Sequence, residues 1–323
     1  MRRLSVAVIP LTATALILGA GCSSTATSEE TSASSSSVAV SESSGTPASL
    51  RILLTNDDGW NAPGIRAVYA ALEGAGHDVT VVAPLKSQSG MGGRKLYYGT
   101  LAVTNPDLTQ YPEYNGAKVW AVGPGEGNTA GSPSDSISFG LSNVFKDEKP
   151  DLVISGANFG QNTGRIINNS GTAGAAVEAA ETGIPSIAIS NECNADYDPK
   201  DETEPDFAGS AAYLVKLVDS LTSASPDGAV IPTGTALNVN YPKSPFKGTK
   251  IVSVDSVDPI PTSYSEVQPG VYDVGYSYVG HQDNGAVDTG ALAQGYVALT
   301  PIDSDFGRDD EKQWLEPLVA QLN

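Results

Sequence analysis

A chain of 323 residues, 40% hydrophobic and 7% aromatic, carries enough apolar material for a sizeable core. Its formal charge of −19, from 18 basic against 37 acidic residues, excludes nucleic-acid polymers as partners, because such binding leaves a basic stripe and no Lys/Arg cluster occurs here. Two cysteines and two histidines, all widely separated, supply neither a disulfide framework nor the nitrogen and sulfur set of a zinc hydrolase.

In chain order, Met1 to Arg3 is a short positive start, and Leu4 to Ala20 is apolar and uncharged, which together predict a signal peptide over 1–21. Pro10, Thr12 and Thr14 interrupt that run, so it falls short of the ~20 apolar residues of a membrane span. Cys22 follows small residues at its end, as in bacterial lipoproteins, and is the candidate lipidation site; simple cleavage is the alternative. Residues 22–49, rich in Ser, Thr, Ala and Glu, cannot bury enough to order themselves and are read as a tether. The expected product is exported and lipid-anchored at the outer face of a bacterial cell membrane, with charge −21 once Arg2 and Arg3 leave with the signal.

From residue 50 short apolar runs alternate with helical segments, the signature of an α/β, Rossmann-like core with a mainly parallel sheet flanked by helices, assigned to 50–235. Strands are predicted at 51–55, 79–83, 118–122, 151–155 and 186–190, and helices at 63–75, from about 133, at 173–181 and at 207–221. Residues 236–323 change to Tyr, Val, Ser, Gly and Pro, and are expected to form a smaller β-rich extension with a closing helix at 309–322.

Ligands of open α/β sheets sit beyond the carboxyl ends of the strands, so the residues after each run bear on function. The first run leads into Asn56, Asp57, Asp58 and Gly59; a turn at Gly59 can converge two carboxylates, and a hard divalent ion such as Mg²⁺ or Mn²⁺ relieves their repulsion. Taken alone, the motif also suits a solvated turn. Residues 84–90 and 156–164 bring hydroxyl and amide oxygens to the same rim, and residues 169–172 precede the third helix, whose N-terminus offers N–H donors to a phosphate. A cation site beside a phosphate site implies phosphoryl chemistry.

Arg51 to Ile65, reading RILLTNDDGWNAPGI, resembles the N-terminal signature of the SurE nucleotidases. The similarity continues in order through VVAP at 81–84, QSG at 88–90, GSPSDS at 131–136, PDLVISGAN at 150–158, SGT at 170–172, GIPSIAIS at 183–190, LNVNYP at 237–242 and GYVALTP at 295–301. The resemblance implies a 5'/3'-nucleotidase, a phosphoric monoester hydrolase, here acting outside the cytoplasm, with one divalent cation per site, Mg²⁺ or Mn²⁺. By position, Asp57, Asp58, Ser89 and Asn158 would hold the metal, and Asn162, Ser170, Gly171 and Thr172 the phosphate. Asn56 would support the first loop, and either Asp57 or Asp58 would accept a proton. Exchange of the C-terminal segment between subunits, as in that family, implies a homodimer or higher homo-oligomer.

Departures fall at Leu85 to Ser87 and Met91 to Tyr98, which bear on substrate preference. A tethered phosphate-ester or nucleotide binding protein without turnover is the alternative. Gly123 to Gly127 lacks dinucleotide-binding spacing, and Ser170 lacks a nucleophile elbow. Cys193 reads as a structural thiol, and His77 and His281 as ordinary imidazoles. Tyr97, Tyr98, Tyr272, Tyr276 and Tyr278 could stack a base, or pack across strands.

Overall fold

A computed structural model describes residues 49–124, 131–193, 205–224, 231–243, 246–277, 279 and 284–305. The predicted signal, Cys22, the tether up to residue 48, Tyr278, His281 and the closing helix lie outside them. No helix among the described residues is long and apolar enough to cross a membrane.

The chain adopts the expected α/β class. Six parallel strands form the centre: β1 (Arg51–Thr55), β2 (Asp78–Pro84), β4 (Lys118–Pro124), β5 (Leu152–Phe159), β6 (Ser186–Asn191) and β7 (Ala236–Tyr241). Their spatial order is β4-β2-β1-β5-β6-β7, a doubly wound arrangement whose direction of winding reverses between β1 and β5. These strands read as near-continuous apolar runs because helices cover both faces.

On one face, α1 (Pro63–Gly74) and α4 (Phe207–Ala224) pack over Ile52, Leu54, Val81, Ile154, Ile187 and Val239. The stripe Ile65, Val68, Tyr69 and Leu72 turns inward on α1. A Cβ at Gly64 would stand 1.9 Å from Ala157 O, so only glycine lets α1 lie this close to β5. On the other face, α2 (Pro133–Phe139) lays Ile137 against Leu53 and Val82, while α3 (Gly171–Glu181) lays Ala175, Ala176, Ala179 and Ala180 on the sheet.

The sheet does not end near residue 235, where the sequence placed the end of the core. Its edges carry β3 (Leu101–Thr104), antiparallel to β4, and β11 (Val297–Ile302), antiparallel to β7, with β8 (Thr249–Ile251) parallel to β11. Main-chain pairing from Ser186↔Ala236 to Asn191↔Tyr241 makes the later segment part of the central sheet. What stands apart is the antiparallel hairpin of β9 (Thr262–Gln268) and β10 (Val271–Tyr276), followed by the short α5 (Asp288–Ala293).

Candidate active site

The site begins where β1 stops. The Asn56 amide nitrogen donates to Gly59 O at 3.0 Å, and Gly59 N–H donates back to Asn56 Oδ1 at 3.1 Å. This reciprocal pair closes the loop over a glycine at φ 110°, in the left-handed region that favours glycine. Two consecutive carboxylates are thereby held at the β1–β5 reversal instead of alternating across a strand. Asn56 is wholly buried, so its role is to shape the loop.

Asp57 reaches the start of α3. The Thr172 hydroxyl donates to Asp57 Oδ1 at 2.6 Å, and a Cβ at Gly171 would stand 2.8 Å from Asp57 Cβ. Burial pushes the Asp57 carboxyl up, against the pull of the Thr172 hydroxyl and of the backbone N–H groups at Gly171 and Thr172. Asp58 turns to the end of β5, where Phe159 N–H donates to Asp58 Oδ2 at 2.9 Å. Burial, reinforced by the charge of Asp57, raises Asp58 to about 7, while the Phe159 bond lowers it. Among the described residues, no ion pair reaches either carboxylate.

The neighbouring loops supply neutral oxygens. Gln88 N–H donates to Asp57 O at 2.6 Å and Trp60 N–H to Pro84 O at 2.9 Å, fixing the loop after β2 against the first. Ser89, one residue further, is exposed, and its hydroxyl lies 3.3 Å from that of Ser87, not on a carboxylate. At β5 a register shift between Ser155 and Asn158 brings Asn158 to the rim. The Asn158 amide nitrogen donates to Gly160 O at 2.7 Å, so the opposite end of that amide is its oxygen, the atom a hard cation takes.

The residues expected at the phosphate converge on the same end of the sheet, with altered duties. The third helix starts at Gly171, two residues earlier than predicted, so Ser170 is its N-cap and accepts from Ala173 N–H at 3.0 Å. The Thr172 hydroxyl gives its proton to Asp57, whereas Ser170 accepts in its capping bond and keeps its own O–H as a donor. Asn162 is clamped: its N–H donates to Asn240 Oδ1 at 2.7 Å, its carbonyl accepts from Asn238 at 3.0 Å and Asn240 at 3.1 Å, and its Nδ2 donates to Ser190 Oγ at 2.8 Å. No role for Ser190, Asn238 or Asn240 was read from the sequence. The available signal was the Asn-Val-Asn alternation of residues 238–240, two amides on the inward face of a buried strand.

The divergent segment at 91–98 crosses the start of α3. Gly92 N–H donates to Asn169 O at 3.0 Å, Leu96 N–H to Asp135 Oδ1 at 2.7 Å, and Lys95 pairs with Glu178 at 2.7 Å. Tyr97 and Tyr98 remain 87% and 89% exposed, so neither packs across strands. His77 is neither solvated nor fully satisfied: it is buried, its Nδ1 accepts from Leu50 N–H at 3.2 Å, and burial lowers its pKa, while Cys193 is a half-buried thiol beside Gln161 Oε1.

No group of three or more His, Cys, Asp or Glu among the described residues is placed to hold a metal ion. The donors here are two carboxylates, an amide oxygen and a nearby hydroxyl, an oxygen set suited to Mg²⁺ or Mn²⁺ and unsuited to structural zinc. Two clustered carboxylates with no basic partner, one lifted to about 7, fit a divalent ion.

Fold and rim together define a doubly wound α/β protein with an acidic, oxygen-lined centre at its topological switch point. The chain belongs to the SurE family: the family model described as "Survival protein SurE" matches residues 52–258. It is 31% identical over 274 residues to "5'-nucleotidase SurE" of Desulfovibrio desulfuricans, covering 80% of this chain and 94% of that one. With "5'-nucleotidase SurE 1" of Chlamydia caviae it shares 39% over 209 residues, covering 63% and 67%. The crystal structure of the SurE protein from Aquifex aeolicus superposes with a TM-score of 0.65 at 28% identity, over 84% of this chain and 99% of that chain. The resemblance read from the sequence is thus borne out at the level of family and fold, and the relatives are named 5'-nucleotidases, a kind of phosphoric monoester hydrolase.

Proposed function

We propose that the protein is a divalent-cation-dependent phosphomonoesterase that hydrolyses nucleoside monophosphates or related phosphate esters outside the cytoplasm. The observation that carries this reading is the convergence of Asp57 and Asp58, through the Asn56–Gly59 closure, between the start of α3 and the end of β5. Asp57, Asp58, Ser89 and Asn158 would hold Mg²⁺ or Mn²⁺. When bound, the ion supplies charge neutralisation at the phosphoryl oxygens and makes water a better nucleophile at neutral pH.

The chain's own residues divide the remaining work. Asp57 is held by the Thr172 hydroxyl and the first N–H groups of α3, whereas Asp58 accepts from Phe159 N–H. Hydrogen bonds to a carboxylate weaken it as a base, so we assign the proton acceptor to Asp58. The Ser170 hydroxyl and the Asn162 amide would bind the phosphoryl oxygens beside Gly171 and Thr172, whose N–H groups are taken by Asp57, with the helix's positive end favouring negative charge there. Tyr97 and Tyr98, fully presented to solvent beyond that turn, are available to a nucleobase. The signal, Cys22 and tether would place the enzyme at the outer face of the cell membrane, as a homodimer or higher homo-oligomer.

A panel of nucleoside monophosphates and an aryl phosphate, assayed with Mg²⁺ or Mn²⁺ and with EDTA, tests the reading. Turnover is expected with the ion and lost with the chelator. Turnover that survives EDTA would remove the metal from the mechanism, and binding without turnover would identify a tethered binding protein instead.

A further inference from the structure

Asn238 and Asn240 lie two residues apart on β7, fully buried and facing α3. Burying an amide is unfavourable unless it finds partners, and a central parallel strand is ordinarily apolar on both faces. Both side chains converge on a single residue, Asn162. Asn240 Oδ1 accepts the Asn162 N–H at 2.7 Å, and the Asn162 carbonyl takes a donor from Asn240 at 3.1 Å and another from Asn238 at 3.0 Å. Asn238 makes its bond although its own Oδ1 is left without a protein partner. Every hydrogen bond that these two side chains make among the described residues therefore goes to Asn162.

Sheet register ties this clamp to the metal rim. Asn158 is opposite Ser190 and Ser190 is opposite Asn240, so a candidate metal ligand, the hydroxyl that receives Asn162 Nδ2 and the clamping amide form one row across three strands. The bonds made by Asn162 decide what it can offer a ligand. Its N–H and carbonyl are occupied by β7, and one of the two hydrogens on Nδ2 goes to Ser190. The second Nδ2 hydrogen is its remaining donor for a phosphoryl oxygen.

We infer that Asn238 and Asn240 are positioning residues that fix Asn162, through its backbone, so that this donor is held ready for the phosphoryl group. They act through Asn162 and touch neither substrate nor metal. The inference rests on the proposed phosphate pocket and extends it to a strand some 76 to 78 residues further along the chain.

The test uses the full chain and the variants Asn240→Leu, Asn240→Asp and Asn238→Ser. Inorganic phosphate binding to the Mn²⁺-loaded protein is measured by calorimetry, Mn²⁺ affinity alone by electron paramagnetic resonance, and kcat and KM on an aryl phosphate. Asn240→Leu should weaken phosphate binding and raise KM by about tenfold or more, with Mn²⁺ affinity unchanged, as for other supporting contacts behind a site. Asn240→Asp keeps an acceptor for the Asn162 N–H and should regain part of that loss. Asn238→Ser removes one bond without adding bulk, and should give a smaller loss of the same kind; it decides the matter where near-ultraviolet circular dichroism shows Asn240→Leu unfolded. Phosphate affinity unchanged in the folded variants, or Mn²⁺ affinity falling in step with it, would overturn the inference. A wild type that binds phosphate but turns nothing over would defeat the phosphatase reading alone, because the calorimetric comparison needs no turnover.

Discussion

The β1–β5 rim and the β9–β10 hairpin each invert the usual rule of apolar inside and polar outside, in opposite senses. At the rim Asn56, Asp57, Asn158, Asn162 and Thr172 are buried; on the hairpin Tyr264, Val267, Tyr272 and Val274 are more than half exposed. The rim balances its inversion with directed hydrogen bonds, some closing single loops and others crossing between loops that are remote in sequence. The hairpin has only its own ladder, and a two-stranded ribbon is marginal in water by itself. Buried polar groups with assigned partners therefore mark where this molecule is organised for chemistry, and exposed apolar groups mark where its own packing stops.

The strongest way to break that contrast is to remove charge at the rim while keeping its shape. Asp58→Asn should reduce kcat by about 10²–10⁴-fold, the usual worth of a positioned proton acceptor, with circular dichroism unchanged. Retained turnover would move the base elsewhere. Geometry is tested next by Gly64→Ala: a Cβ 1.9 Å from Ala157 O meets backbone that cannot yield, so the destabilisation in urea melts should exceed the ~1–3 kcal/mol of ordinary overpacking. A fully stable variant would mean that α1 is free to move away from β5.

Much of this was legible in the sequence because it is local. Apolar runs bounded by turns located β1, β2, β4, β5 and β6, and the apolar stripe with Pro63 and Gly76 bounded α1. Asn56 through Gly59 suits a solvated turn when taken alone, and gains meaning only from the oxygen-rich loops at 84–90 and 156–164 on the same rim. What escaped was pairing at long range. Membership of β7, β8 and β11 in the central sheet depends on partners outside any window, and β3 has only four residues of weak alternation. The clamp on Asn162 is illegible for the same reason, since its donors lie 76 and 78 residues away. That Ser170 and Thr172 stand at the start of a helix was legible, but which atom each hydroxyl meets depends on where α3 begins and on Asp57 beneath it.

The contrast sharpens with pH. Asp58 sits at about 7 against an ordinary 3.8, so the folded, metal-free protein holds a proton that the unfolded chain has released. Its contribution is fully present below about pH 4 and is lost as pH rises through about 7, because over that window the folded state binds more protons than the unfolded. Metal-free wild type should therefore lose thermal stability relative to Asp58→Asn between about pH 4 and 7, and Mn²⁺ should cancel the difference by favouring the ionised carboxylate. A constant difference across the window, without metal, would show that Asp58 is as well solvated as a surface acid.

The smallest effect belongs to the hairpin. Tyr272 faces Glu266 and Val274 faces Tyr264, cross-strand pairs open to solvent on both sides, so Tyr272→Ser and Val274→Thr should alter the stability of a single protomer by about 0.5 kcal/mol or less. Turnover should not change, because among the described residues no hydrogen bond connects these side chains to the rim. Urea melts over a range of protein concentrations decide the point: a larger loss that grows with concentration would mean that the hairpin's apolar side chains are covered by a second copy. The exposed residues would then follow the same rule as the rim, with their partners supplied from outside the chain.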